Sequence, residues 1–182
     1  MMQPNHPLYR FRFCPLCGAD GFAEQGANAR KCGTCGFTYY ANPKGATVAI
    51  IVNDRGEMLT GCRKQNPAQG TRDLVGGFID LDETAEEGMC REIKEESGLD
   101  ISPSDLHYLF SQHNQYPYSG IVCRTIDLFF EVRVKGHPAA EAHDDVSNLT
   151  WLPVATLPVE EFGLASVRRG LRRYLASLEL AK

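Results

Sequence analysis

The sequence predicts an α/β sandwich built on a mixed sheet, preceded by a small ribbon held by cysteines. Three observations carry that prediction. From residue 46 onward, strand-like segments alternate with two helical ones. Near the end of the chain, Leu164, Val167, Leu171, Leu175 and Leu178 recur at helical spacing. Four of the seven cysteines fall in two tight pairs, Cys14/Cys17 and Cys32/Cys35. With 182 residues, 43% of them hydrophobic and 23% charged, the chain can bury a full core. A net charge of −4 predicts no general attraction to nucleic acid or to an anionic membrane. The opening "MMQPNHPLYRFRF" lacks an apolar signal core and no apolar run approaches a membrane span, so a cytoplasmic location is expected.

Residues 1–10 read as a loose N-terminal tail. Residues 11–42 hold the cysteine pairs among Gly, Ala and Asn, with too few apolar residues to build a core unaided. "ANPKG" (41–45) is turn chemistry and leads into the main domain, residues 43–182. There "ATVAIIVN" is a buried strand, "DRG" a hairpin turn and "EMLTGCR" the returning strand. "NPAQGTRD" is a loop, and "LVGGFI" a short strand broken by two glycines. An acidic helix follows over about Glu83 to Ser97, ended by Gly98. "LHYLFSQH" and "GIVCRTIDLFFEVRVK" are strands, "EAHDDVSNLTWLPVATL" a loop and a strand. The last segment is an amphipathic helix with Arg168, Arg169, Arg172 and Arg173 on one side, a solvated face by the main reading and an RNA or phosphate patch by the alternative.

The acidic helix carries the chemistry. Gly77 to Leu99 holds eight acidic residues in twenty-three. At about 100° per residue, Glu92, Glu95 and Glu96 share one face, bordered by Met89, Cys90 and Ile93. Like charges at that spacing destabilise one another, and partial burial adds to the cost. A hard cation such as Mg²⁺ or Mn²⁺ relieves it; a solvated acidic face is the plain alternative. The cysteine pairs, "CPLCG" and "CGTCG", lie fourteen residues apart, each followed by a glycine that permits a tight turn. Four thiolates suit a closed tetrahedral Zn²⁺, and so poor a ribbon needs the ion to fold. Cys62, Cys90 and Cys123 read as core residues.

Gly77, five residues, Glu83, seven residues and then Arg91-Glu92-Ile93-Lys94-Glu95-Glu96-Ser97-Gly98-Leu99 resemble, at every defined position, the signature box of the Nudix hydrolase family. The resemblance implies an α/β/α sandwich and divalent metal on the box glutamates. It also implies hydrolysis of a diphosphate joining a nucleoside to another moiety. Glu92 and Glu96 are then the metal pair and Glu95 an auxiliary ligand or positioner. Arg91 pairs with Glu83 or Glu95 to orient them. Gly76 and Gly77 let the backbone pass close to metal and phosphate, with the Gly76 carbonyl touching metal. The general base is left open.

A ribbon ahead of such a domain is similar to the bacterial NADH pyrophosphatases, which also remove NAD caps from RNA, over residues 11–175. Their dinucleotide-binding pattern after the box is matched in "SQHNQYPYS" by Ser111, Gln112, Pro117 and Ser119, with Tyr116 as the aromatic. His113, Asn114 and Gln115 stand where the family carries Pro-Trp-Pro, which removes a stacking surface. Tyr40 matches a substrate-contacting tyrosine, a core aromatic being the competing reading. Asp145 falls at a metal-binding glutamate position beside Asp144, with a solvated loop as the alternative; His137 and His143 in that loop have no evident partner. The resemblance further implies a homodimer. Cleavage of NADH, NAD or FAD to two monophosphates is the leading expectation. ADP-ribose hydrolysis, or a non-catalytic nucleotide sensor, are the alternatives. A nucleic-acid-binding ribbon is disfavoured by weak basic character and missing aromatic interleaving in residues 11–42.

Overall fold

A computed structural model describes residues 2–142 and 146–180. By contact density the chain forms two compact units, Met1–Lys44 with Gln115–Arg124, and Gly45–Asn114 with Thr125–Lys182.

In the first unit, β1 (Phe22–Gln25), β2 (Ala29–Cys32) and β3 (Thr38–Tyr40) form an antiparallel sheet. Its core is Cys14, Phe22 and Cys32, with Ala19 and Phe37 against them. The tail is not loose. Leu8 is buried, and the buried Arg30 donates to Leu8 O (2.7 Å), Phe22 O (2.6 Å) and Tyr9 O (3.0 Å). A buried guanidinium needs acceptors, and the carbonyls of residues 8 and 9 supply them, which the composition of the tail does not reveal.

In the second unit, α1 (Ala85–Ser97) and α2 (Ala165–Leu180) accompany a mixed sheet. The sheet runs β6 (Arg72–Asp73), β5 (Glu57–Arg63), β4 (Lys44–Asn53), β8 (Ile121–Val134), β7 (Leu106–Tyr118), and β9 (Val146–Pro153) pairs with β5. Alternation along β4 builds both cores. Val48, Ile50 and Val52 meet Val167, Leu171 and Tyr174 of α2, while Ala49 and Ile51 meet Met89 and Ile93 of α1. A strand covered on both faces has no polar side, which is why "ATVAIIVN" reads as continuous. The expected sandwich is the observed one.

Three local expectations change. The acidic helix starts at Ala85, because Thr84 caps it: its hydroxyl accepts from Glu87 N and its N–H donates to Glu87 Oε2 (2.8 Å). Glu83 is thereby left outside the helix. "LVGGFI" is an irregular stretch laid along β4, with Ala49 N donating to Val75 O and Thr47 N to Gly77 O, both at 2.8 Å. Gly76, at φ 154°, interrupts the regular strand between those bonds. The strand expected to end at His113 is longer: β7 runs on to Tyr118 and turns into β8 through Ser119 and Gly120 at φ 48° and 76°.

Candidate functional site

Arg91 is the positive charge among the carboxylates. Its guanidinium grips Glu83 with two hydrogen bonds, Nε to Oε1 at 2.7 Å and an Nη2 bond to Oε2 at 2.9 Å. Nη1 donates to Glu92 Oε1 (2.8 Å) and Glu95 Oε2 (3.0 Å), and Nη2 also reaches Phe78 O (3.0 Å). The sequence offered Glu83 or Glu95 as its partner; it takes both, and Glu92 besides. The Arg91 hydrogen bonds, aided by the Asp80 N–H, pull the Glu83 carboxyl down to about 2. Glu83 is thus a permanently ionised anchor that fixes Arg91, and Arg91 fixes one oxygen of Glu92.

The two glycines place the glutamates. Gly76 N donates to Glu96 Oε2 at 2.9 Å, and Glu96 is buried. A Cβ on Gly77 would overlap the Glu92 carboxylate, 2.5 Å from its Cδ. The backbone of residues 76–77 is therefore packed directly onto the carboxylates of both residues expected to hold metal. An all-oxygen donor set of two anionic side chains against a glycine backbone fits a hard divalent cation. Glu95 is the most exposed carboxylate of the three and accepts from Arg91 Nη1.

The other expected residues divide between the units. Ser111, exposed, and Gln112, half-buried, lie on β7 in the second unit. Tyr116, Pro117 and Ser119 belong to the first unit, as does Tyr40, whose 60% exposure excludes the core-aromatic reading. Asp145, Asp144 and His143 lie outside the described residues. The arginines of α2 are not simply solvated. Arg169 donates to His113 O (2.6 Å), Arg168 to Gly163 O (3.1 Å), Arg172 pairs with Glu160 (2.5 Å), and Arg173 lies 4.4 Å over the Phe110 ring. His137 does have partners, missed because they are remote in sequence: it pairs with Glu57 and stacks on Trp151 with centroids 5.6 Å apart. Cys123 is buried, whereas Cys62 and Cys90 are only half-buried.

The cysteine pairs converge. The Sγ atoms of Cys14, Cys17, Cys32 and Cys35 lie within 4.8 Å of one another, with 3.7 Å for Cys14–Cys35 and for Cys17–Cys32. Gly18 and Gly36, at φ 71° and 75°, turn each knuckle. The Cys35 N–H donates to Cys32 Sγ (3.4 Å), and backbone donors there bring Cys32 down to about 6. The thiols are unpaired by disulfides, and four such donors could hold a metal ion in a closed tetrahedral site.

The site is thus a glutamate-lined helix, anchored through one arginine and set against a Gly-Gly turn on an α/β/α sandwich. Residues 42–175 match the family model of the NUDIX domain, and the chain belongs to that family. It is similar to the NAD-capped RNA hydrolase NudC of Stutzerimonas stutzeri, 29% identical over 171 residues, covering 94% of this chain and 56% of that protein. The chain thus spans little more than half the length of the curated relatives it matches. Among solved structures it resembles a NUDIX hydrolase from Nitrosomonas europaea, with a TM-score of 0.67, 20% identity, and 91% and 90% coverage of the two chains. It also resembles a bifunctional NMN adenylyltransferase/ADP ribose pyrophosphatase from Francisella tularensis, with a TM-score of 0.61, 19% identity, and 76% and 42% coverage.

Proposed function

We propose that this protein hydrolyses the diphosphate of a dinucleotide such as NADH, NAD or FAD, releasing two monophosphates. The observation that carries the reading is the placement of Glu92 and Glu96 on the Gly76–Gly77 backbone with Arg91 tying Glu92 to Glu83. Glu92 and Glu96 would hold Mg²⁺ or Mn²⁺, with Asp145 and the Gly76 carbonyl as further ligands. A divalent ion held there would supply charge neutralisation of the diphosphate and a more acidic water. Glu95, exposed and steered by Arg91, would serve as an auxiliary ligand or positioner. Tyr40, Ser111, Gln112, Tyr116, Pro117 and Ser119 would contact the nucleotide. Zn²⁺ on Cys14, Cys17, Cys32 and Cys35 would be structural, organising a ribbon over 11–42 ahead of a Nudix domain over 43–182.

The similarity to NudC supports a dinucleotide over a nucleoside triphosphate, and NAD-capped RNA is proposed as a further substrate. Replacement of Pro-Trp-Pro by His113, Asn114 and Gln115 favours ADP-ribose as the second reading, since a smaller partner needs no indole to stack on. The complete set of box glutamates disfavours a non-catalytic sensor. No helix of the described residues is long and apolar enough to cross a membrane; a cytoplasmic homodimer is the proposed state.

With Mg²⁺ or Mn²⁺, purified protein should convert NADH and water to AMP and reduced nicotinamide mononucleotide. Glu96→Gln should lower turnover by orders of magnitude with zinc content unchanged; a variant as active as wild type would show the site to be misassigned. A panel of NADH, NAD, FAD, ADP-ribose and NAD-capped RNA ranks the substrates.

A further inference from the structure

We infer that the first unit binds single-stranded RNA through the side chains of Tyr9–Phe13. Five consecutive residues alternate ring and guanidinium, Tyr9-Arg10-Phe11-Arg12-Phe13, and all five are exposed. The rings stand 43%, 40% and 65% in solvent. They are not a frayed end. Arg30 fixes the carbonyls of Leu8 and Tyr9, Leu8 is buried, and Phe22 N donates to Arg12 O at 3.1 Å. A backbone this well held presents its rings in place, and a fixed apolar surface left in water marks a contact site.

Charge selects the partner. Met1–Lys44 with Gln115–Arg124 contains six Lys and Arg against two Asp and Glu, a net charge of +4 in a chain of −4, so the remainder carries −8. The sequence window of 11–42 hid this, because it cuts off Tyr9 and Arg10 and omits Arg124. A single strand offers what this surface can use: a π-face on every base for the rings and a phosphate for each guanidinium. A duplex buries its bases and satisfies only the second half. A second copy of the same surface would set like charge against like, which opposes symmetric self-association here. RNA is the strand indicated by the reading of NAD-capped RNA as substrate, on which this inference rests for its choice of polymer. The binding itself needs neither Glu96 nor a catalytic metal.

The test is fluorescence anisotropy with a labelled fifteen-nucleotide oligo(A) RNA and a duplex of equal length, using the full chain as Glu96→Gln without added divalent ion. Phe11→Ala with Phe13→Ala should weaken single-strand binding about tenfold or more. Arg10→Gln with Arg12→Gln should flatten the dependence of log K on log salt by roughly 0.7 per arginine. In otherwise wild-type protein, both pairs should keep zinc content and NADH hydrolysis, and the arginine pair removes no ring should the ring pair fold poorly. Ring-pair and arginine-pair variants that bind like their parent overturn the inference. So does a duplex bound as tightly as the single strand, anionic vesicles bound in place of RNA, or an oligomer that the substitutions dissociate while RNA binding persists. Wild type that binds RNA yet cleaves no dinucleotide would overturn the proposed function and leave this surface standing. The converse result would remove the surface alone.

Discussion

Gly76 and Gly77 are neighbours with different duties, and substitution separates them. A methyl on Gly77 would meet the end of the Glu92 side chain, which can swing away. Gly77→Ala should therefore fold normally but lose about 100-fold in turnover, because a displaced metal ligand is costly even when the shift is small. A methyl on Gly76 would meet the Thr47 carbonyl oxygen, which is backbone, at a φ of 154°. Gly76→Ala should lower stability by about 1–3 kcal/mol, read by thermal unfolding beside an NADH assay. Both glycines were legible in the sequence as backbone expected near metal. Which one would aim a Cβ at the Glu92 carboxylate and which one at the Thr47 carbonyl was not, because no side chain marks the direction.

Elements show where periodicity suffices and where it fails. The acidic helix and the terminal helix were legible from spacing alone. Thr84 and Glu87 form a capping box that the acidic run obscures, so the helix begins at Ala85, two residues after Glu83. Thr84→Ala should cost about 1 kcal/mol in unfolding free energy while leaving Arg91 paired with Glu83. The clasp of His137 on Glu57 and Trp151 was illegible because it joins residues eighty apart. Hydrogen bonds from His137 and then Asn53 hold the Glu57 carboxyl below its usual value of 4.5. A depressed carboxyl stabilises the fold above that value and loses its effect as the pH falls through the folded one. The melting temperature should therefore fall as the pH drops below about 5, and fall less in Glu57→Gln. Trp151, the single tryptophan, reports the same release in its emission.

For the whole molecule, the two units differ in what holds them together. The second has a core on each side of its sheet. The first has Cys14, Phe22 and Cys32 with two partly buried neighbours, far too little to fold on burial alone. Stripping zinc with a thiol-competing chelator should unfold the strands of the first unit and leave Trp151 emission unchanged. Simultaneous loss of both signals would mean that the units do not fold separately. The ribbon was legible because two CxxC pairs can do little else in so apolar-poor a segment. The ordered tail was not, since Arg30 finds its partners only once the strands exist.

Manganese binding followed by electron paramagnetic resonance, with a nonhydrolysable dinucleotide analogue present, addresses the glutamate face most directly. Wild type should bind Mn²⁺ and tighten on it when the analogue is added, and Glu92→Gln with Glu96→Gln should abolish that binding with the four-cysteine metal retained. Equal Mn²⁺ binding by the double variant would contradict the assignment of these two side chains as the ligands.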